Sequence, residues 1–333
     1  MTTYRVTGLT GPAATPTVSV APVVLPAPQR GEDLHVRVSA PVTGTRLPIV
    51  LFSHGFGSNL DGYAPLVDHW ASHGFVVIQA THLDSRRLDV IAGDDPRRPH
   101  LWRRRVQDMQ RILDDLDVLE ASVPGLAGRV DHSRIVAAGH SFGGQTAGIL
   151  VGLRVTDPET GIAQDMSDHR VMAAVQLATA GRGGDELTPF ALENAPWLRG
   201  QDFAHVTAPC LVVAGDEDEL PLSTRGPSWT TDPYTLGPGD KSLLTVHGGQ
   251  HSLGGISGYE VAETTDENPD RVALVQQVTL AYLRHVTGTD HADWESAKAA
   301  LAGRSHPLGR LESRWVAWIT TKPWEAQWST SGA

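Results

Sequence analysis

The stretch RIVAAGHSFGGQTAGIL, residues 134–150, decides how the chain is read. It begins as a short apolar run, breaks at a lone polar Ser141 flanked by Gly139, Gly143 and Gly144, and resumes as an apolar segment. An ordinary strand end has no need of three glycines. A strand that turns within two residues into a helix does, because positions around the turn must be small for the two elements to approach. A serine at that corner stands at a helix N-terminus, where free backbone N–H groups favour developing negative charge. The frame Gly139, His140, Ser141, Phe142, Gly143 is GxSxG, the pattern of a nucleophile elbow, and Ser141 is its candidate nucleophile.

Working outward, PIVLF (48–52), FVVIQA (75–80), VMAAVQL (171–177), CLVVA (210–214) and SLLTV (242–246) are nearly unbroken apolar runs. That is the pattern of parallel strands covered on both faces. Residues 33–40 differ: Leu34, Val36 and Val38 alternate with His35, Arg37 and Ser39, as in an antiparallel strand with one wet face. Helical periodicity runs over 101–122, where Trp102, Val106, Met109, Leu113 and Leu116 share a stripe, and again over 270–286. Arg103 to Arg105 read as structural, with Arg104 and Asp108 an i,i+4 pair. Alternating strands and helices specify an α/β fold with a mainly parallel central sheet flanked by helices, whose ligands bind beyond the carboxyl ends of the strands.

A serine nucleophile needs a base, an acid that orients the base, and donors for the oxyanion. In this architecture they follow in the order Ser, acid, His after later strands. CLVVA runs into Gly215, Asp216, Glu217, Asp218, and SLLTV into His247, Gly248, Gly249, Gln250, His251. Asp218 is preferred because a carboxylate needs a few residues beyond the strand to swing toward the base, with Asp216 the alternative. His251 is preferred to His247 because two glycines give it a flexible approach. After PIVLF, the run SHGFG places the backbone N–H of Phe56 beside that of Phe142 as the expected oxyanion hole, and His54 is expected to support that loop.

With 27 Lys and Arg against 38 Asp and Glu, the net charge of −11 opposes binding to nucleic acid or anionic membrane. No run approaches the ~18 apolar residues of a membrane span, and the start of the chain lacks a leader pattern, so a cytoplasmic location is expected. The one cysteine, Cys210, lies in an apolar run and reads as an inert core thiol. HExxH, spaced cysteine pairs and an EF-hand loop are all missing, so neither metal nor cofactor is expected.

The segments LPIVLFSHGFGSNLDGYAPLVDHWASHGFVVIQATH and DHSRIVAAGHSFGGQT resemble the α/β-hydrolase serine esterases related to the platelet-activating-factor acetylhydrolases, and more loosely the chlorophyllases and the bacterial polyester (cutinase-like) hydrolases. The likeness extends over about residues 45–290. It implies the α/β-hydrolase fold and a carboxylic-ester hydrolase with Ser141 as nucleophile, Asp218 as acid, His251 as base, and Phe56 and Phe142 as oxyanion donors. Two departures stand out: chlorophyllases usually carry Arg where this chain has Phe142, and one cysteine cannot form the disulfide of exported polyester hydrolases. The expected substrate is a small to medium apolar ester. Acyl transfer or lactone opening by the same side chains, and a non-catalytic binding role on the same fold, are the alternatives.

Residues 1–312 are expected to form the catalytic domain, with a candidate cap insertion at 179–206 between the sixth and seventh strands. Phe190 and Trp197 in that insertion, and His82 at a strand end, are the candidate substrate contacts. Arg86 and Arg87 stand near the same mouth. Residues 313–333 form a separate extension in which Trp315, Trp318, Trp324 and Trp328 suit docking on the body or on a second copy in a homodimer.

Overall fold

The computed structural model describes residues 13–89, 95–258, 264–303 and 306–316. Among them are twelve strands: β1 (Thr17–Leu25), β2 (Leu34–Pro41), β3 (Leu47–Ser53), β4 (Val76–Ala80), β5 (Val130–His140), β6 (Arg154–Thr156), β7 (Ala163–Gln164), β8 (Val171–Leu177), β9 (Gln201–Asp202), β10 (Cys210–Gly215), β11 (Gly239–Val246) and β12 (Gly309–Val316). The α-helices are α1 (Ala64–Ser72), α2 (Leu101–Asp114), α3 (Leu116–Ala121), α4 (Phe142–Leu150), α5 (Pro189–Asn194), α6 (Asp232–Leu236), α7 (Pro269–Val286) and α8 (Ala292–Leu301).

Nine strands make one sheet in the order β1-β2-β4-β3-β5-β8-β10-β11-β12. From β4 to β11 every pairing is parallel; β1, β2 and β12 join antiparallel. Side chains along each central strand divide between two cores. In β3, Ile49 and Leu51 pack with Trp102, Val106 and Met109 of α2 and Ile149 of α4. Val50 and Phe52 face the other way, toward Trp70 of α1 and Val275 and Val278 of α7. Two-sided burial explains the unbroken apolar runs, since each such side chain taken from water contributes roughly 1.5–3 kcal/mol whichever way it points. Trp70 also finds a partner for its indole N–H, donating to Thr279 Oγ1 at 3.0 Å.

Because the parallel strands run together, their carboxyl ends form one rim, and the segments carrying Phe56, Ser141, Asp218 and His251 follow β3, β5, β10 and β11 there. A second, small sheet of β7, β6 and β9 ties the hairpin after α4 to the segment before β10.

Three expectations need correction. The periodic run 101–122 is two helices, α2 and α3, parted at Asp115, whose N–H is shared between the carbonyls of Arg111 and Ile112. Asp108 does not pair with Arg104; it lies on the buried stripe of α2 and accepts from Arg30 Nε at 2.7 Å, while Arg104 donates to Gln107 Oε1. The boundary drawn after residue 312 falls inside β12, which pairs with β11 from Gly309↔Val246 to Val316↔Gly239. Trp318, Trp324 and Trp328, and with them the homodimer expectation, lie outside the described residues.

Candidate active site

Ser141 sits at the corner between β5 and α4 with φ +54°, a conformation that non-glycine residues rarely adopt and that costs roughly 1–3 kcal/mol. The corner is pinned: Ser141 N donates to Leu177 O at 2.8 Å, and Thr179 Oγ1 donates to Ser141 O at 3.1 Å. The glycines answer a close approach. A Cβ on Gly143 would overlap the Ser53 carbonyl, and one on Gly139 would overlap the Gly143 carbonyl.

His251 Nε2 lies 2.9 Å from Ser141 Oγ. On the other side of the ring, Nδ1 is 3.1 Å from each oxygen of Asp218, whose carboxylate is fully buried. A carboxylate accepts, so the Nδ1–H donates to it and Nε2 is left to accept from the serine hydroxyl. The two alternatives go elsewhere. Asp216 is exposed and accepts from Gly248 N at 2.6 Å, while the His247 backbone is held by Leu308 and Arg271.

Across from the serine, the loop after β3 brings Phe56 to the mouth of a cavity that Ser141 and Phe142 also line. On either side of Phe56 the amides are taken: Gly55 N donates to Tyr63 Oη at 3.0 Å and Gly57 N to Asp84 Oδ2 at 3.1 Å. Neither Phe56 N nor Phe142 N donates to an acceptor among the described residues, and Phe142 opens α4. Two unclaimed N–H groups beside a serine suit an oxyanion.

Beneath this loop lies a buried ionic network. Arg105 grips Asp84 through two bonds, Nε to Oδ1 at 2.8 Å and Nη2 to Oδ2 at 2.6 Å, and donates to His54 O at 2.6 Å. Its guanidinium lies 4.3 Å from the centre of the Phe142 ring. Burial would raise the Asp84 carboxyl, yet Arg105 holds it well below the usual carboxylate range. Burial first and Arg105 second lower His54 and His82, so both rings are neutral in the fold. His54 Nε2 accepts from His82 N at 3.1 Å, giving His54 the supporting place expected for it.

His82 is not a cavity residue. It is fully buried, with Nε2 2.9 Å from Ser53 Oγ and Nδ1 2.8 Å from Asp108 Oδ2. Its position just past β4 put it at the rim, but Arg105 and Asp108 from α2 close over it. Arg87 pairs with Asp61.

The cavity occupies about 250 Å³ and is mainly apolar, with Phe190 and Trp197 among its walls. Trp197 stacks on Phe142 with ring centres 5.4 Å apart, and its indole donates to Gln145 Oε1 at 3.2 Å. Leu220, Pro221 and Leu222, just beyond Asp218, form the opposite wall. On the His251 side a polar groove of about 560 Å³ opens, lined by Asp216, Glu217 and Glu219 together with Gln250 and Thr265. Among the described residues, Asp117, Glu120 and His132 are the one group close enough to share a metal ion. They sit at the far end of β5 from Ser141, where His132 Nε2 meets Glu120 Oε2 at 3.0 Å.

Tyr63, Asp84 and the ring of His140 have no counterpart in the sequence reading, and Arg105, a structural residue there, gives no sign of its partner Asp84. Only His140 carried a signal, as the second residue of GHSFG. Charged residues are mostly exposed, so nothing local marks Asp84 or Arg105 as buried.

The sequence model of the Chlorophyllase family matches residues 17–162, a stretch that includes Phe56, Ser141 and Phe142 and stops short of Asp218 and His251. The chain is 26% identical to a platelet-activating factor acetylhydrolase of Cavia porcellus, with 31% of each chain covered. It is 28% identical to the one of Bos taurus, covering 31% of this chain and 32% of that protein. The chain thus spans about a third of the length of the relatives it matches. No helix among the described residues is long and apolar enough to cross a membrane.

Proposed function

We propose that this chain, which has the α/β-hydrolase fold and belongs to the group in which chlorophyllases and platelet-activating factor acetylhydrolases are found, is a serine carboxylic-ester hydrolase acting on small to medium apolar esters. One observation carries the reading: the line from Asp218 through His251 to Ser141 Oγ ends at the mouth of an apolar cavity.

In this reading His251 Nε2 takes the hydroxyl proton as Ser141 Oγ attacks the ester carbonyl carbon. The carbonyl oxygen becomes an oxyanion held by the N–H groups of Phe56 and Phe142. Collapse breaks the bond to the alkoxy oxygen, which leaves as alcohol with the proton from His251. Water, deprotonated by His251, then attacks the acyl-enzyme, and the acid departs as Ser141 recovers its proton. Asp218 keeps the imidazole in the required tautomer and stabilises its charged form. The leaving oxygen must meet His251, so the alcohol portion points toward the polar groove and the acyl chain enters the cavity behind Phe142. Residues 179–206 act as a cap whose Phe190 and Trp197 set the acyl length.

The test is turnover of p-nitrophenyl esters of graded chain length by wild type and Ser141→Ala. Wild type is expected to release a burst of nitrophenol with a short to medium optimum, and the variant to lose nearly all activity, on the order of 10³-fold or more. Equal turnover by the two proteins removes the assignment. Adding a competing alcohol to the same assay separates hydrolysis from acyl transfer by its products.

A further inference from the structure

Behind the serine runs a chain of three hydrogen bonds that the ester chemistry does not itself require. Gly55 N donates to Tyr63 Oη at 3.0 Å, Tyr63 Oη lies 2.8 Å from His140 Nδ1, and His140 Nε2 lies 2.7 Å from the backbone carbonyl of His251. The direction of each bond is forced. A carbonyl only accepts, so His140 carries its proton on Nε2, its Nδ1 accepts, and the tyrosine hydroxyl donates to it. Both side chains are buried, Tyr63 at 2% and His140 at 4% exposure. Burial, with the charge of His251 second, lowers His140 to about 3, so the ring stays neutral and the tautomer single. Gly55 packs against this junction: a Cβ there would stand 2.8 Å from Tyr63 Oη and 3.2 Å from His140 Nδ1.

We infer that Tyr63 and His140 are positioning residues that fix the Phe56 amide and the His251 imidazole relative to each other. One end of the chain grips the residue before Phe56; the other grips the main chain of the base. His140 is itself the residue before Ser141. The oxyanion donor, the nucleophile and the base thus share one rigid strut instead of depending on three separate loops. Neither Tyr63 nor His140 lines the cavity, so they act on the geometry of the reacting atoms and leave substrate contacts alone.

The inference rests on the ester-hydrolase reading, and its test separates the two. Wild type, Tyr63→Phe, His140→Leu and the double variant are compared with the p-nitrophenyl ester that wild type turns over best. Rates are normalised to active sites counted with an irreversible phosphonate, so that loss of folded protein does not count as loss of rate. Each single variant is expected to lose about 10- to 100-fold in kcat with KM within about twofold, the range that a displacement near 1 Å costs. The double variant is expected to be no slower than the slower single, because either change cuts the same strut. Rates per titrated site within about threefold of wild type, or effects that multiply in the double variant, overturn the inference while the hydrolase reading stands. A wild type with neither burst nor turnover overturns both. If His140→Leu does not fold, Tyr63→Phe alone decides by the same criterion.

Discussion

The molecule holds the same three side chains in the same order twice. At the rim, Ser141 Oγ, His251 and Asp218 are joined by contacts of 2.9 and 3.1 Å. Under the loop after β3, Ser53 Oγ, His82 and Asp108 are joined by contacts of 2.9 and 2.8 Å. Hydrogen-bond geometry alone does not tell them apart. Their surroundings do. Ser141 stands at a strained corner before a helix, beside two unclaimed amides and a cavity. Ser53 closes a strand, has no exposed surface, and shares its hydroxyl with Arg105 Nη1 at 3.3 Å. It lines neither the apolar cavity nor the polar groove, so no ester carbonyl reaches it there. The buried set also has Arg30 on its acid, so the Asp108 charge is met by a guanidinium while neutral His82 only donates to it, whereas among the described residues His251 alone meets the Asp218 carboxylate in a hydrogen bond. A nucleophilic serine is defined by space and donors around it as much as by its base.

The sharpest way to break this comparison is to remove each acid. Asp218→Asn is expected to lower kcat on a p-nitrophenyl ester about 10⁴-fold, because the imidazole loses its tautomer. Asp108→Asn is expected to leave the rate per phosphonate-titrated serine within about threefold, its cost falling on stability. A comparable loss of rate in both would make the two sets functionally alike.

Next in size is the ion pair that separates them. Arg105→Leu leaves Asp84 buried without its cation and is expected to destabilise the fold by about 3–5 kcal/mol in urea unfolding, with Asp84→Leu added on top restoring much of it. Acid should sharpen the contrast further. A histidine whose pKa folding depresses is protonated first in the unfolded chain, so its stabilisation is complete above about pH 6.5 and is lost as the pH falls. His82→Gln is expected to make the slope of unfolding free energy shallower below that pH, by at most one proton or roughly 1.4 kcal/mol per pH unit. Smallest is the pair of serines themselves. Ser53→Ala should cost about 1 kcal/mol and leave phosphonate labelling intact, whereas Ser141→Ala should abolish labelling.

How much of this could be read beforehand follows from where each signal resides. The central strands declare themselves because both faces are buried, and the elbow because a close approach of strand and helix admits only glycine. Both signals are local in sequence. The edge strands β1 and β12 carry no such mark: in Thr17–Leu25 only Leu25 is buried, and half of Gly309–Val316 is charged or polar, as edges tend to be. Chain reach is what separates Asp218 from Asp216 in the sequence; in the fold Asp218 meets His251 Nδ1 and Asp216 accepts from Gly248 N. His82 went astray because a residue just past a strand can face the mouth or the floor, and which it faces depends on α2, some twenty residues further along. Separation along the chain also hides the partnership of Arg105 with Asp84, 21 positions apart, and that of Arg30 with Asp108, 78 positions apart.

The two cavity walls differ in how they are attached. Leu220, Pro221 and Leu222 follow Asp218 within four residues, so any insertion or bulkier side chain there is transmitted to the carboxylate behind His251. Phe190 and Trp197 belong to a stretch that supplies none of the proton-handling groups. On the proposed ester-hydrolase reading, variation in the esters accepted should therefore accumulate on the α5 side, where pocket shape can drift freely, while the facing wall stays tethered to Asp218 and changes little.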